Sequence, residues 1–208
     1  RTPLTVIAGY GESMRDGVLQ PTPDRMEIIY QEIEGLQNLV TDLRMLTQVD
    51  ANELPLHNQM VAVTDMLERA AAPFRHQAEK QTVTLVVAGD GNLPDISLDE
   101  ARMMQVYGNL LSNALRYTPP GGQILLTAAK RDQSVVLSVI DNGSGIEEEE
   151  LAYIFDRFHR ADKSRHAESG ETGLGLAIVK ALVEAQGGMV QARSRPGEGM
   201  TIEMVFPI

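Results

Sequence analysis

The chain is 208 residues long and 43% hydrophobic, with a formal net charge of −11. That length allows one full domain plus a smaller element, and the acidity disfavours general attraction to nucleic acid or an anionic membrane surface. It contains no cysteine, which excludes disulfide frameworks and thiolate metal sites and fits a reducing cytosol. No apolar run approaches the roughly 18–20 residues of a membrane span, and no signal-peptide pattern is present.

Helical spacing begins at once. Leu4, Ile7, Gly11, Met14 and Val18 recur at intervals of 3,4,3,4. The stretch DGVLQPTPD then interrupts the helix with a glycine and two prolines, and Asp24 is placed to cap the next one. Ile29, Ile33, Leu36, Val40, Leu43 and Thr47 follow at intervals of 4,3,4,3,4, a heptad seam from about Asp24 to Gln48. Two helices cannot enclose a core. The seams are satisfied either by dimerisation through residues 4–48 into a four-helix bundle or by packing on the chain's own globular part. Pro3 can open a helix capped by Thr2 or bend a longer one.

VDANELPLHNQ reads as a linker, which places one domain at 1–52 and a second at 53–208. The second has a mixed α/β pattern. Strands are predicted at TVTLVVA, QILLTAA, SVVLSVI, GMVQARS and MTIEMVF, and helices near residues 64–80, 98–117, 147–156 and 174–186. The last two strands follow one another without a helix, so the sheet is not doubly wound. The fold class predicted is α+β: a helical hairpin, then an α/β sandwich with one mixed sheet and helices on one face. Glu147 to Glu150 suit the positive end of a helix dipole and need no functional reading.

Three stretches carry candidate chemistry. In QVYGNLLSNALRYTPPGG, Asn109 and Asn113 are four apart and share a helix face with Gln105, Arg116 and Tyr117. Amide oxygens suit Mg²⁺ that already carries phosphate charge, while the same side chains could instead cap neighbouring loops. In VVLSVIDNGSGI an apolar strand ends in Asp141, followed by Gly143 and Gly145. This is either a simple turn or a carboxylate that accepts the exocyclic amine of adenine. In GETGLGLAIVKALVEAQGG, Gly173 and Gly175 stand where a helix begins, and either expose backbone N–H groups to an anion or merely precede an amphipathic helix. No P-loop or dinucleotide fingerprint is present. Arg157, Arg160, Lys163 and Arg165 form a local basic cluster, a solvated loop or an anion site.

Together, in this order, the stretches resemble the catalytic part of bacterial sensor histidine kinases over the whole chain. NLLSNALRYTP resembles the family's N box, DNGSGI its G1 box, IFDRFHR its F box and TGLGLAIVKALVEAQGG its G2 box. GEGMTIEMVFP resembles the final glycine box and strand, and RTPLTVIAGY the tail of the H box. The resemblance implies a dimerisation and phosphotransfer hairpin, with the phosphorylatable histidine just before Arg1, followed by an ATP-binding domain of the histidine kinase, Hsp90 and gyrase type. It implies ATP and Mg²⁺ as cofactors and a response-regulator receiver domain as partner. It also implies a cytoplasmic location, with membrane attachment through upstream segments at the bacterial inner membrane.

By the same resemblance Asn113 is the Mg²⁺ ligand and Asn109 supports phosphates or metal. Arg116 meets phosphate, Tyr117 stacks near adenine and Asp141 reads its amino group. Gly143, Gly145, Gly173, Leu174, Gly175 and Thr201 complete the nucleotide site. Arg160 resembles the arginine that stabilises the transferring phosphoryl, residues 159–172 the ATP lid, and Thr2 the position that helps water attack the phosphorylated partner. The chain departs from the family at Glu171, a usual glycine, at His159 and Arg116, where Tyr and Lys are frequent, and at Met200, a usual small hydroxyl residue. Two rivals remain: a dimeric ATP-binding scaffold without kinase activity, and an Hsp90-like or gyrase-like ATPase. The latter uses a glutamate to activate water, where this chain has Asn109. None of His57, His76, His159 and His166 precedes an ELRTP-like segment, so this stretch of chain is expected to lack its own phosphoacceptor.

Overall fold

The computed structural model describes residues 3–91, 93–159 and 172–208. Two helices open the chain, α1 (Pro3–Arg15) and α2 (Pro23–Asp50), packed against each other as a hairpin. Thr22 occupies the N-cap position of α2, without a side-chain capping bond, and Pro23 stands in the first turn, so Asp24 lies inside the helix instead of capping it. The first helix ends at Arg15, which leaves Val18 in the connecting turn beside Gly17, whose φ is +74°. The periodic signal ran past the helix because an apolar residue in a turn can coincide with helical spacing.

Short strand β1 (Gln59–Val61) pairs antiparallel with β3 (Ile96–Leu98). Neither is predicted from sequence, since three residues are too few for a period. Helices α3 (Val63–Ala71) and α4 (Arg75–Lys80) replace one predicted helix, with a 3₁₀ turn at Ala72–Phe74 around Pro73, which lacks an amide donor. The main sheet has the order β2-β4-β5-β7-β6. Its strands are β2 (Thr84–Gly89), β4 (Gln123–Arg131), β5 (Ser134–Asp141), β6 (Met189–Arg195) and β7 (Gly199–Pro207). Strand β2 runs parallel to β4 and the other neighbours are antiparallel, the mixed sheet expected.

Alternation sets the two faces of this sheet. Ile124, Leu126, Val135, Leu137, Val139, Ile202, Met204 and Phe206 point into the core with α5 (Glu100–Tyr117) and α7 (Gly175–Ala185). The opposite face carries Glu203, whose carboxylate lies 3.4 Å from Arg131 and 3.1 Å from Arg193. The helix predicted over 147–156 is only α6 (Glu148–Leu151), followed by turns. No glycine or proline ends it. Instead the chain folds back so that His159 Nε2 lies 2.7 Å from Glu150 Oε2, a tertiary contact that local pattern does not encode.

Asp99 joins the distant parts. Its carboxylate accepts the Arg102 N–H as the cap of α5 and also the His57 N–H of the linker, and its own N–H donates to Gln186 Oε1 beyond α7. Burial would raise its pKa, but the His57 and Arg102 amides, the Arg102 charge and the Ala101 amide outweigh that and hold it below the ordinary value. The hairpin is not a separate body. Met45 and Leu46 at the end of α2 are buried in the same core as the sheet, and α2 packs on α7. Arg157 Nη2 donates to both oxygens of Asp50, at 2.6 and 2.8 Å, across this junction. Among the described residues no helix is long and apolar enough to cross a membrane.

Candidate functional site

Four element ends converge at one edge of the helical layer: the second half of α5, the end of β5, the start of α7 and the β6–β7 turn. Helix α5 supplies the floor. Its buried face (Met103, Val106, Tyr107, Leu110, Leu111, Ala114) holds it on the core and turns Asn109 and Asn113, both half-buried, toward the edge. Asn109 approaches the start of α7 so closely that a Cβ on Gly175 would lie 3.8 Å from its amide oxygen. At the other end of the same face the Tyr117 carbonyl accepts the Ser144 N–H, and a Cβ on Gly143 would fall 2.5 Å from it. Asn113 therefore lies one turn from the α7 end and one turn from the Asp141 loop. The Arg116 guanidinium lies 5.7 Å from the Tyr117 ring centre.

Asp141 ends β5 on the core side. Its Oδ1 accepts the Gly143 N–H at 2.9 Å. Burial pushes its carboxyl above the ordinary aspartate range, against the opposing pull of the Gly143 and Met200 amides. Gly145 and Gly199 are needed for contact rather than for flexibility alone. A Cβ on Gly145 would lie 2.0 Å from the Arg195 carbonyl oxygen, and one on Gly199 1.9 Å from that of Asp141.

Helix α7 begins without a side-chain cap, behind the fully buried Leu174, and no acidic residue occupies its first turn. Its first N–H groups thus present positive partial charge to the edge. Gly173 has φ +67° and packs on Phe158, whose N–H bonds to the Gly173 carbonyl at 2.9 Å. Only glycine tolerates that combination without strain.

One atom bears directly on what the edge can hold. Asn109 Nδ2 is buried and has no hydrogen-bond partner among the described residues, a costly state for a donor unless an acceptor arrives. Its position next to the uncapped α7 terminus suits a phosphate oxygen. No cluster of three or more His, Cys, Asp or Glu that could hold a metal occurs among the described residues. A divalent cation here would rest on amide oxygens and on charge brought by a ligand, which is the chemistry of Mg²⁺ with a polyphosphate.

The structure thus brings together Asn109, Asn113, Arg116, Tyr117, Asp141, Gly143, Gly145, Gly173, Leu174 and Gly175. Thr201 does not join them. It pairs in register with Ile140 and Arg193 on the far face of the sheet, while Met200 stands beside Asp141. A one-residue step along a strand reverses the face. Thr2, Arg160 and most of the expected lid, 160–171, lie outside the described residues. Sequence reading missed Asn142, whose Oδ1 accepts the Gln123 N–H at 2.7 Å and fixes the loop to the start of β4. Its place between Asp141 and Gly143 was the available signal.

Known proteins match this arrangement. The family model of histidine kinase-, DNA gyrase B- and HSP90-like ATPases matches residues 98–208, and the His Kinase A (phospho-acceptor) domain matches residues 1–52. The signal transduction histidine-protein kinase BaeS of Escherichia coli is 36% identical over the whole chain, and the sensor histidine kinase WalK of Bacillus subtilis 32%. The chain spans 44% and 34% of the length of these two curated relatives. The histidine kinase AdeS of Acinetobacter baumannii superposes with a TM-score of 0.83 at 26% identity, covering all of this chain and 95% of AdeS. Full-length ShkA in complex with AMPPNP superposes at 0.77 with 26% identity, covering all of this chain and 46% of ShkA. The chain belongs to the histidine kinase-, DNA gyrase B- and HSP90-like ATPase family, among the sensor histidine kinases of bacterial two-component systems.

Proposed function

We propose that this chain is the cytoplasmic catalytic region of a membrane-anchored sensor kinase. It binds Mg·ATP, transfers the γ-phosphoryl to a histidine nitrogen and passes it to an aspartate of a response regulator. The observation that carries the reading is the buried, unpartnered Asn109 amide beside the uncapped start of α7. That pair donates to phosphate oxygens from a side chain and a helix end at once. Asn113, between them and the Asp141 loop, holds the metal through its amide oxygen. Mg²⁺ when bound neutralises charge on the transferring phosphoryl. Asp141 accepts the adenine amino group, Tyr117 stacks on the base and Arg116 meets phosphate. Arg160 stabilises the transferring group, and Thr2 assists water in the reverse, phosphatase direction.

In the forward step the bond from the γ-phosphorus to the β–γ bridging oxygen breaks and a phosphorus–nitrogen bond forms. ADP departs with the electron pair and the imidazole nitrogen gives up its proton to solvent. Neutral imidazole is the major form near pH 7, so alignment and charge neutralisation carry most of the catalysis. Asn109 stands where a water-activating glutamate would serve an ATPase, so intrinsic ATP hydrolysis is slow.

The part expected at 1–52 carries the hairpin, and the hairpin pairs with a second copy. Met26, Ile33 and Val40 recur every seven residues along α2 and are 48, 39 and 64% exposed in the single chain. A heptad stripe of this kind is covered by another helix hairpin.

Calorimetry with the non-hydrolysable ATP analogue AMPPNP tests the site. Asn113→Ala is expected to lower affinity in Mg²⁺ about 100-fold, ~2.7 kcal/mol, and to leave the much weaker affinity in EDTA unchanged. Wild-type affinity of Asn113→Ala in Mg²⁺ would overturn the assignment.

A further inference from the structure

We propose that Ser194 is a positioning residue for nucleotide-base recognition: its hydroxyl clamps the Asp141–Ile146 loop to the β6–β7 turn. The proposal rests on the reading of Asp141 as the group that meets the base.

Ser194 lies on β6, two strands away from Asp141, yet the sheet register brings them level. Asp141 pairs with Met200 across β5 and β7, and Met200 pairs with Ser194 across β7 and β6. All three sit on the helix side of the sheet. The Ser194 hydroxyl makes two bonds from that position. It accepts the Ile146 N–H at 3.0 Å and donates to the Gly199 carbonyl at 2.6 Å. One residue thereby ties the far end of the glycine loop to the turn that closes β6 and β7.

The rest of the seam is backbone. Gly197 N–H bonds to the Ser144 carbonyl at 2.7 Å, and Gly145 and Gly199 leave no room for a Cβ against Arg195 and Asp141. Backbone contacts of this kind fix how close the two loops lie. The Ser194 hydroxyl adds side-chain hydrogen bonds at the far end of the loop, Ile146, beyond the reach of those backbone contacts. A shift there moves Gly143, and with it the N–H that orients the Asp141 carboxylate.

A hydroxyl fits this task because it has one donor and two acceptor lone pairs in a small volume. Alanine leaves both the Ile146 N–H and the Gly199 carbonyl without this partner, whereas threonine keeps the hydroxyl. The bonds that Ser194 makes go to the Ile146 and Gly199 backbone, beside the Asp141 loop, so its loss should fall on the base and spare the triphosphate end.

The test uses the full chain and competition of ATP and GTP against a fluorescent ATP analogue, together with melting temperatures. Ser194→Ala is expected to reduce the preference for ATP over GTP by about five- to tenfold, by weakening ATP and leaving GTP little changed. Ser194→Thr is expected to keep the wild-type preference. Val135→Ala, a core truncation at the opposite end of β5, is expected to lower the melting temperature at least as much while leaving the preference intact. If Ser194→Ala keeps the wild-type preference, or Ser194→Thr loses as much as Ser194→Ala, the clamp is not what positions the loop. Asp141→Asn separates the two layers of inference. If it changes the preference and Ser194→Ala does not, the clamp alone fails. If Asp141→Asn changes nothing, the reading of Asp141 falls and the clamp with it.

Discussion

The hairpin and the sheet domain handle their apolar residues in opposite ways. In the sheet domain, Leu98, Met103, Leu111, Leu126, Leu137 and Leu182 are completely removed from solvent within one chain. Over residues 3–44 of the hairpin no residue is fully buried, and Met26, Ile33, Val40 and Leu43 stand exposed. A folded chain seldom leaves a regular apolar stripe in water. The sheet domain is complete in one copy, and the hairpin is half of a structure. The boundary between these behaviours is not at the linker. It lies within α2, where Met45 and Leu46 pass into the sheet domain's core.

Four substitutions would break or sharpen that contrast. The largest effect is expected from Ile33→Asp, which places a charge in the proposed seam twice per dimer. Loss of two isoleucine burials costs about 3–6 kcal/mol at ~1.5–3 kcal/mol each, so light scattering should find a monomer at micromolar concentration. Its affinity for AMPPNP should stay within about twofold of the parent. A variant that remains dimeric would place the interface elsewhere.

Next is Leu46→Ala. If the end of α2 belongs to the sheet domain, this truncation should cost about 2–5 kcal/mol of that domain's stability by denaturant titration, with the dimer intact. By the same reasoning a fragment starting at residue 53 should melt lower than one starting near residue 42, since it leaves the α7 surface uncovered. Equal melting temperatures would mean that the two parts are energetically independent.

Asp141→Asn should weaken AMPPNP about tenfold, ~1.4 kcal/mol, while raising the melting temperature at pH 7. Burial holds this carboxyl above its unfolded value. Its contribution to stability is therefore fully present below the unfolded pKa and is lost as pH rises through the folded one. Asparagine is neutral throughout, so the melting difference should close in acid, where Asp141 is protonated in both states. Wild-type affinity for nucleotide should itself fall as pH drops through the raised pKa, because the protonated carboxyl is a poorer acceptor. A variant that melts no higher at pH 7 would show that the buried charge is compensated.

The smallest effect is expected at the junction's ion pair. Arg157 and Asp50 are both substantially solvated, and such pairs contribute about 0.2–1 kcal/mol. Arg157→Ala should shift the melting temperature by little and lose even that in 1 M salt. A large, salt-resistant loss would mean that the contact holds the two parts together by more than charge.

How much of this was legible from the residues varies with the range of the interaction. Helix α5 with Asn109 and Asn113 on one face, the five main strands and the glycine-bearing α7 start follow from period and from local backbone needs. A period of two or 3.6 is imposed by burial on one side, and the sequence records it directly. The mixed order of the sheet was partly readable too, since β6 and β7 follow one another without room for a crossover.

Only the tertiary structure decided the rest. Thr201 looks like part of the nucleotide site in the linear motif, but the pleat puts it on the face opposite Asp141. The strand register that settles this pairs Thr201 with Ile140 and Met200 with Asp141, across the length of the intervening domain. The predicted helix over 147–156 ends at Leu151, and the turns that follow bring His159 onto Glu150, while Met45 and Leu46 of α2 belong to the core that α7 shares. The Ser194 hydroxyl reaches the Asp141 loop across 48 residues of chain, and the only local sign it leaves is one serine in a strand. Periodicity reports which side of an element is buried. It carries no record of which distant element buries it, and that choice placed the site.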